Sequence, residues 1–91
     1  MKEKRTLYEI YWEILTFCRK PKSFTSIINR CNLNSKIGQR HIKFLKKKGL
    51  LTTIESQDKH LLVATERAND YTTLFNQIYR KLFDNSPEFR L

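Results

Sequence analysis

Apolar residues recur every three or four positions between Leu7 and Cys18, which is the spacing of one face of a helix. Thr6 and Glu9, at the start of this segment, have the form of a capping box, in which each side chain binds the backbone N–H of the other residue. The pattern predicts a first helix over residues 7–19. The helix is expected to end there because the following Lys-Pro dipeptide disfavours helical backbone.

Two shorter helical segments follow, each introduced by a side chain that can accept a hydrogen bond from the first turn. Ser23 is the expected N-cap of a helix over 24–31, and Asn34 is the expected N-cap of a helix over 35–48. Gly49 can adopt the left-handed conformation that often ends a helix. The pattern therefore predicts two helices joined by a tight Asn-Leu-Asn turn.

The second half of the chain changes from helical to strand spacing and then returns to helical spacing. Residues 50–55 and 60–64 are rich in strand-forming side chains, and the polar residues 56–59 between them favour a turn, so together they predict a hairpin. Thr65 is the expected N-cap of a last helix over 66–83.

The order of helix, helix, helix, hairpin and helix predicts a fold class that is mainly α with a two-stranded β wing, a winged helix-turn-helix. The length of 91 residues supports a single domain over 1–91. Within it we expect a DNA-binding core over 6–65, a C-terminal dimerisation helix over 66–83 and a loose tail over 84–91.

Positive charge is concentrated in the middle of the chain, which carries a formal net charge of +9. Between Glu13 and Glu55 there is no acidic residue, whereas ten basic residues fall in that interval: Arg19, Lys20, Lys22, Arg30, Lys36, Arg40, Lys43, Lys46, Lys47 and Lys48. Solvated surfaces normally mix both signs. The segregation predicts a polyanionic partner such as DNA.

The third helix divides into an apolar and a polar face, which is what a DNA recognition helix requires. The face expected to pack inward comprises Ile37, Gly38, His41, Ile42 and Leu45. Arg40 can bind guanine and Gln39 can bind adenine, each through two hydrogen bonds. The expected DNA-binding residues, including the segment before helix 2 and the wing, are Lys20, Lys22, Ser35, Lys36, Gln39, Arg40, Lys43, Lys47, Lys59 and His60.

The last helix carries an apolar seam with the 4, 3, 4 spacing of a coiled coil. A second apolar stripe on helix 1 contains Tyr8, Trp12 and Leu15. This is more apolar surface than one small domain easily covers, so a homodimer is expected. The alternative is that the last helix packs against its own helix 1. The expected interface comprises Tyr8, Trp12, Tyr71, Leu74, Phe75, Ile78, Tyr79 and Leu82.

The sequence lacks the residues that are characteristic of several classes of function. Cys18 and Cys31 do not have the grouped spacing of a zinc site and are expected to be small buried side chains, although a disulfide stays possible. No nucleophile set, phosphate-binding loop or carboxylate cluster indicates an enzyme, a cofactor or a small-molecule ligand. No segment has the length or apolarity of a membrane span or signal peptide, so we expect an intracellular protein.

Three short motifs resemble an archaeal winged helix-turn-helix family that includes ArnR-type regulators and small coiled-coil chromatin proteins. The motifs are Asn32-Leu33-Asn34, Lys48-Gly49-Leu50-Leu51 and Ala64-Thr65-Glu66-Arg67-Ala68. The resemblance implies double-stranded DNA binding by helix 3 and the wing, and dimerisation through the last helix. The chain departs from the pattern at Gly38, where the family has a large aliphatic residue, and at Ala68, where it has glycine.

Three functions are consistent with these features. The first is a dimeric transcriptional regulator that places helix 3 in the major groove and the wing on the flanking backbone or minor groove. The second is an architectural protein that coats DNA with little sequence preference. The third is a winged-helix adaptor for protein partners. Gln39 and Arg40 favour the first, because these side chains discriminate between bases.

Overall fold

The computed structural model describes residues 6–83 and contains four helices and one hairpin. The elements are α1 (Leu7–Phe17), α2 (Phe24–Arg30), α3 (Ser35–Lys47), β1 (Leu51–Ser56), β2 (Lys59–Ala64) and α4 (Glu66–Phe83). The fold class expected from the sequence, mainly α with a two-stranded wing, is confirmed. The tail expected over residues 84–91 lies outside the described residues.

Helix α1 begins where the capping box predicts and ends two residues early. The Thr6 amide donates to the Glu9 carboxylate at 2.8 Å, and the Glu9 amide donates to the Thr6 hydroxyl at 3.1 Å. At the other end Cys18 is the C-cap, and its carbonyl accepts from the Ala64 amide at 2.8 Å. The wing strand thus satisfies a carbonyl that the helix end leaves unpaired.

The turn between α2 and α3 uses asparagine in two different ways. Asn32 adopts a left-handed backbone with φ of +56°, which asparagine tolerates better than most residues. This lets the Leu33 amide donate to the Ile28 carbonyl at 2.9 Å and close the end of α2. The Asn34 side chain then accepts from the Ile37 amide at 2.8 Å, which starts α3.

Gly49 ends α3 as predicted and anchors the start of α4. Its φ of +77° allows the Leu50 amide to donate to the Leu45 carbonyl at 2.9 Å, the closing bond of a Schellman motif. The Thr65 hydroxyl donates to the Gly49 carbonyl at 2.6 Å. The end of the third helix and the start of the last are therefore held together by one glycine.

The wing is a longer hairpin with a tighter turn than the sequence predicts. Ser56 and Lys59 pair at its tip, so only Gln57 and Asp58 form the turn, with φ of +51° and +64°. Left-handed conformations at both central residues match the right-handed twist of the strands. The predicted turn over 56–59 was therefore too long, because Gln57 is not a residue that marks such a turn.

A backbone bridge that the sequence pattern does not indicate attaches the α1–α2 connection to the wing. The Lys22 amide donates to the Leu62 carbonyl at 2.9 Å, and the Leu62 amide donates to the Lys22 carbonyl at 2.7 Å. Strand β2 consequently has partners on both edges at this point. The bridge fixes the position of Lys22 relative to the hairpin.

The hydrophobic core lies where α1, α2, α3 and the base of the wing meet. Its buried residues are Ile14, Leu15, Cys18, Ile27, Cys31, Ile42, Leu45, Leu51, Leu62 and Ala68. Leu15 belongs to this core, so its assignment to a separate outer stripe was wrong. The two cysteines are buried thiols without a disulfide. Burial, followed by the proximity of Cys31, raises the pKa of the Cys18 thiol to about 12.

The close approach of α2 to α3 explains the glycine inside α3. A methyl group on Gly38 would lie 2.5 Å from Cγ2 of Ile28. The Cγ2 methyl of Ile28 is bonded directly to a branched Cβ and cannot move away without rotating the whole side chain.

We expect Gly38→Ala to lower the free energy of unfolding. Overpacking costs about 1–3 kcal/mol, which exceeds alanine's helix preference of roughly 1 kcal/mol. Urea unfolding measures the difference.

The matched background for this test is Ile28→Ala, which removes the obstructing methyl group. There Gly38→Ala should stabilise the protein by about 1 kcal/mol, since only the helix preference remains. A stabilising effect of Gly38→Ala in the wild-type background would contradict the contact between the two helices.

Candidate nucleic-acid interface

The outer face of α3 presents all the polar residues that the sequence assigns to it. They are exposed: Ser35, Lys36, Gln39, Arg40, Lys43 and Lys47. The N-terminal half of the helix carries the amide and the guanidinium, and the C-terminal half carries lysines. Groups that can bind bases therefore lie toward the N-terminal end of α3, and groups that can bind phosphates lie toward its C-terminal end.

Ile37 joins this exposed surface, contrary to the prediction that it packs inward. Its side chain is 41% exposed, whereas Gly38, Ile42 and Leu45 are buried. Successive residues of a helix point about 100° apart, and the contact with α2 is centred on Gly38. The inward face is therefore narrower than the apolar spacing indicated, and an aliphatic side chain stands among the polar residues.

An aromatic cluster supports α3 from the side of α1. The Tyr11 ring stacks on Phe44 with centroids 5.4 Å apart and meets His41 edge-on at 5.5 Å. Burial, followed by the charge of Arg40, lowers the pKa of His41 below its ordinary value. His41 is thus a half-buried packing residue, and the Lys48 ammonium lies 5.6 Å from the Phe44 ring centroid.

The wing tip carries both signs of charge. Lys59 and His60 are exposed, as the prediction requires. However, Nδ1 of His60 lies 3.3 Å from a carboxylate oxygen of Glu55, its cross-strand partner, and Asp58 occupies the turn. A phosphate approaching His60 would have to compete with this exposed pair.

Lys20 and Lys22 lie in the connection between α1 and α2 and not on α3. They line a cavity of about 410 Å³ together with Arg19 and Arg30, and no residue of α3 lines it. The structure therefore divides the predicted DNA-binding residues into an α3 face, a wing tip and a separate basic cavity. The expected site residues did not include Arg19 and Arg30. The only sequence feature that pointed to these two arginines is the concentration of basic residues between Glu13 and Glu55.

Three of the eight residues of the expected dimer interface, Trp12, Tyr71 and Phe75, pack within the chain. The Trp12 and Phe75 rings stack with centroids 5.6 Å apart, and the Tyr71 hydroxyl donates to the Tyr8 carbonyl. Burial, followed by the neighbouring Tyr11 and Tyr8, raises the pKa of Tyr71 to about 12. These contacts fasten the first half of α4 to α1, which is the alternative that the sequence left open.

The second half of α4 extends beyond these contacts with α1 and is exposed. Every described side chain from Asn76 to Leu82 is exposed, and Leu74 and Ile78 are 58% and 57% exposed. Together with Tyr8, Tyr79 and the half-buried aromatic rings, these residues line an apolar groove of about 560 Å³. The groove runs along α4 beside the start of α1.

Within residues 6–83 no three His, Cys, Asp or Glu side chains come together in a way that would hold a metal ion. None of the described helices combines the length and the apolarity needed to cross a bilayer.

Solved structures with the same fold include proteins from an archaeon. The Sso10a-2 DNA-binding protein of Sulfolobus solfataricus is 26% identical, with a TM-score of 0.73 over 87% of this chain and 86% of that chain. The transcriptional regulator BldR from the same organism is 14% identical, with a TM-score of 0.70 over 87% of this chain and 63% of that chain.

The structure of SSV1 F-93 is 12% identical, with a TM-score of 0.62 over 89% of this chain and 99% of that chain. At these identities BldR and F-93 establish the fold alone. No curated protein matches the sequence. The winged helix-turn-helix family matches residues 4–82, nearly the whole chain, and agrees with the resemblance in the sequence motifs. The chain belongs to the winged helix-turn-helix family.

Proposed function

We propose that the protein binds double-stranded DNA through the outer face of α3 and acts as a dimeric transcriptional regulator. The observation that carries the proposal is the exposed face of α3, where basic and amide side chains occupy one side and no acidic residue occurs along the helix. An α-helix fits the major groove, where each base pair presents a distinct pattern of donors and acceptors.

The N-terminal half of α3 is assigned to base recognition. Arg40 can donate two hydrogen bonds to guanine, and Gln39 can bind adenine through its amide. The exposed Ile37 between Lys36 and these residues is suited to contact a thymine methyl group. Ser35, at the first turn, has the backbone N–H groups of a helix N-terminus beside it, which favour a phosphate.

The C-terminal half of α3 and the wing are assigned to the DNA backbone. Lys43 and Lys47 continue the basic stripe beyond the residues that reach bases. Lys59 and His60 at the wing tip are suited to a flanking phosphate or the minor groove. Lys20 and Lys22 are left out of this interface because they line a separate cavity.

The dimer is proposed to form through the second half of α4. An isolated helical segment of this length gains most of its stability from packing, yet the side chains from Asn76 to Leu82 are all exposed. The apolar groove between Tyr8 and Leu82 offers the surface on which the same helix of a second copy would lie.

The similar structures support a DNA-binding function without choosing its mode. One is described as a DNA-binding protein and another as a transcriptional regulator. Gln39 and Arg40, side by side on the exposed face, favour a regulator with base preference over a protein that coats DNA uniformly.

Two substitutions on α3 separate these modes. We expect Arg40→Ala to weaken binding to a preferred site by about 1–3 kcal/mol and to relax the preference at one base pair. Lys47→Ala should weaken binding to every sequence about equally, because a phosphate contact carries no sequence information. Competition between a preferred duplex, selected from genomic fragments, and random duplexes measures both effects.

Equal weakening of both duplex classes by Arg40→Ala would contradict base recognition by this residue and favour the architectural mode. Absence of binding to any duplex by the wild-type protein would favour the protein adaptor. Both variants alter exposed side chains, so their unfolding curves should match that of the wild type.

A further inference from the structure

A second concave site lies between the ends of α1 and α2, away from the face assigned to DNA. The cavity has a volume of about 410 Å³, and its walls include Trp12, Thr16 and Phe17 of α1 and Arg30 of α2. Lys22, in the segment that connects the two helices, forms another wall. A volume of several hundred Å³ is in the range of small-molecule sites, and the lining here combines two aromatic side chains with five charged ones.

Two cations of this cavity are held by one aromatic ring. The Lys22 ammonium lies 4.7 Å from the Phe17 ring centroid, and the Arg30 guanidinium lies 5.6 Å from the same centroid. Contact with the ring holds both groups beside the same side chain of α1. Arg19 and Lys20 add further positive charge to the lining, where Glu13 is the acidic residue. An anion in the cavity would offset this excess of positive charge.

Two hydrogen-bonding atoms of the lining residues are buried without a partner among the described residues. They are Nε1 of Trp12 and Oγ1 of Thr16. An indole N–H can only donate, and a threonine hydroxyl can donate as well. A buried donor without an acceptor is costly, and both residues line the cavity, although neither atom is accessible to solvent.

We propose that this cavity binds a small organic anion, a carboxylate with an apolar body. The carboxylate would interact with Lys22 and Arg30, and the apolar body would lie against the aromatic side chains of Trp12 and Phe17. Because the Lys22 backbone is bonded to Leu62 of β2, an occupant would touch α1, α2 and the segment that anchors the wing. The site is separate from the α3 face and does not depend on DNA binding.

The test uses Trp12, the single tryptophan of the chain, as the reporter. Hexanoate, hexanol and hexylammonium share an apolar body and differ in the charge of the head group, and each is titrated at constant ionic strength without DNA. We expect hexanoate to change the Trp12 fluorescence with a saturable curve. Hexanol and hexylammonium should bind at least about tenfold more weakly.

Arg30→Gln and Arg67→Gln form a matched pair, since both remove one exposed arginine but only Arg30 lines the cavity. Arg30→Gln should weaken hexanoate binding about tenfold or more, whereas Arg67→Gln should leave it unchanged. Circular dichroism checks that both variants are folded.

Three outcomes would overturn the proposal. They are equal binding of the three probes, no saturable change with hexanoate, and equal weakening by the two variants. Inorganic phosphate is a fourth probe. If it binds as tightly as hexanoate, the site is a bare oxyanion contact instead of a pocket for an organic anion.

Discussion

Raising the salt concentration from 50 to 200 mM should weaken duplex binding by about 10³–10⁵-fold if the dimer contacts roughly 6–10 phosphates. Each lysine or arginine that neutralises a phosphate releases condensed counterions, and added salt opposes that release. The lysines at positions 36, 43 and 47 of α3 and Lys59 of the wing are exposed and can supply such contacts from each copy. Fluorescence anisotropy with a labelled duplex at a series of salt concentrations measures the slope.

The control for this prediction is Lys47→Ala. If Lys47 contacts a phosphate in both copies, the substitution should reduce the slope of log affinity against log salt by about one per copy. A complex whose affinity does not change with salt would rule out phosphate neutralisation as the basis of binding. Absence of binding even at low salt would reject the DNA-binding proposal and favour an adaptor that uses the apolar groove.

Glutamate at positions 74 and 78 should convert a dimer into a folded monomer. In the wild type we expect light scattering to give twice the chain mass of 11.0 kDa at micromolar concentration. Leu74 and Ile78 are more than half exposed, so Leu74→Glu and Ile78→Glu should spare the fold of one chain. In a dimer through α4 the same charges would be buried without partners, which association cannot offset.

The matched control places glutamate at Thr73 and Asn76, which are exposed and lie on the face of the same helix away from Leu74 and Ile78. This variant should stay dimeric. A wild-type mass near that of one chain, with α4 folded, would contradict the dimer proposal. DNA binding gives a second readout, because a dimer can place two recognition helices in successive major grooves about 34 Å apart. The monomeric variant should therefore bind much more weakly than the control.

The starts of α1 and α3 and the end of α3 were determined by the sequence because they depend on hydrogen bonds between near neighbours, whereas α1 ends two residues before its predicted end. Thr6 and Glu9 start α1, Asn34 starts α3 and Gly49 ends it, each through bonds that span five residues or fewer. The order of elements and the polar face of α3 follow from the same local information, since the helical period assigns side chains to faces. That was enough to predict the fold class and the polar residues of α3 and the wing tip that are now assigned to DNA, but not Ile37.

Tertiary packing alone decided which side of each helix is buried and which segment covers it. Ile37 is exposed because α2 contacts α3 at Gly38, and the spacing of apolar residues does not reveal where a neighbouring helix approaches. Trp12 and Phe75 stack within one chain, although both lie on stripes that equally suit a second copy. Amphipathic patterns specify that a face is buried but not which partner buries it.

The basic cavity also depends on contacts that the pattern of residues along the sequence does not reveal. Lys22 and Arg30 both approach the Phe17 ring, and the Lys22 backbone is bonded to Leu62, forty residues further along the chain. The sequence contains no local motif for this arrangement, and it therefore grouped Lys22 with the expected DNA contacts. Backbone pairing between distant segments depends on the whole core, and for that reason only the tertiary structure separated the two groups of cations.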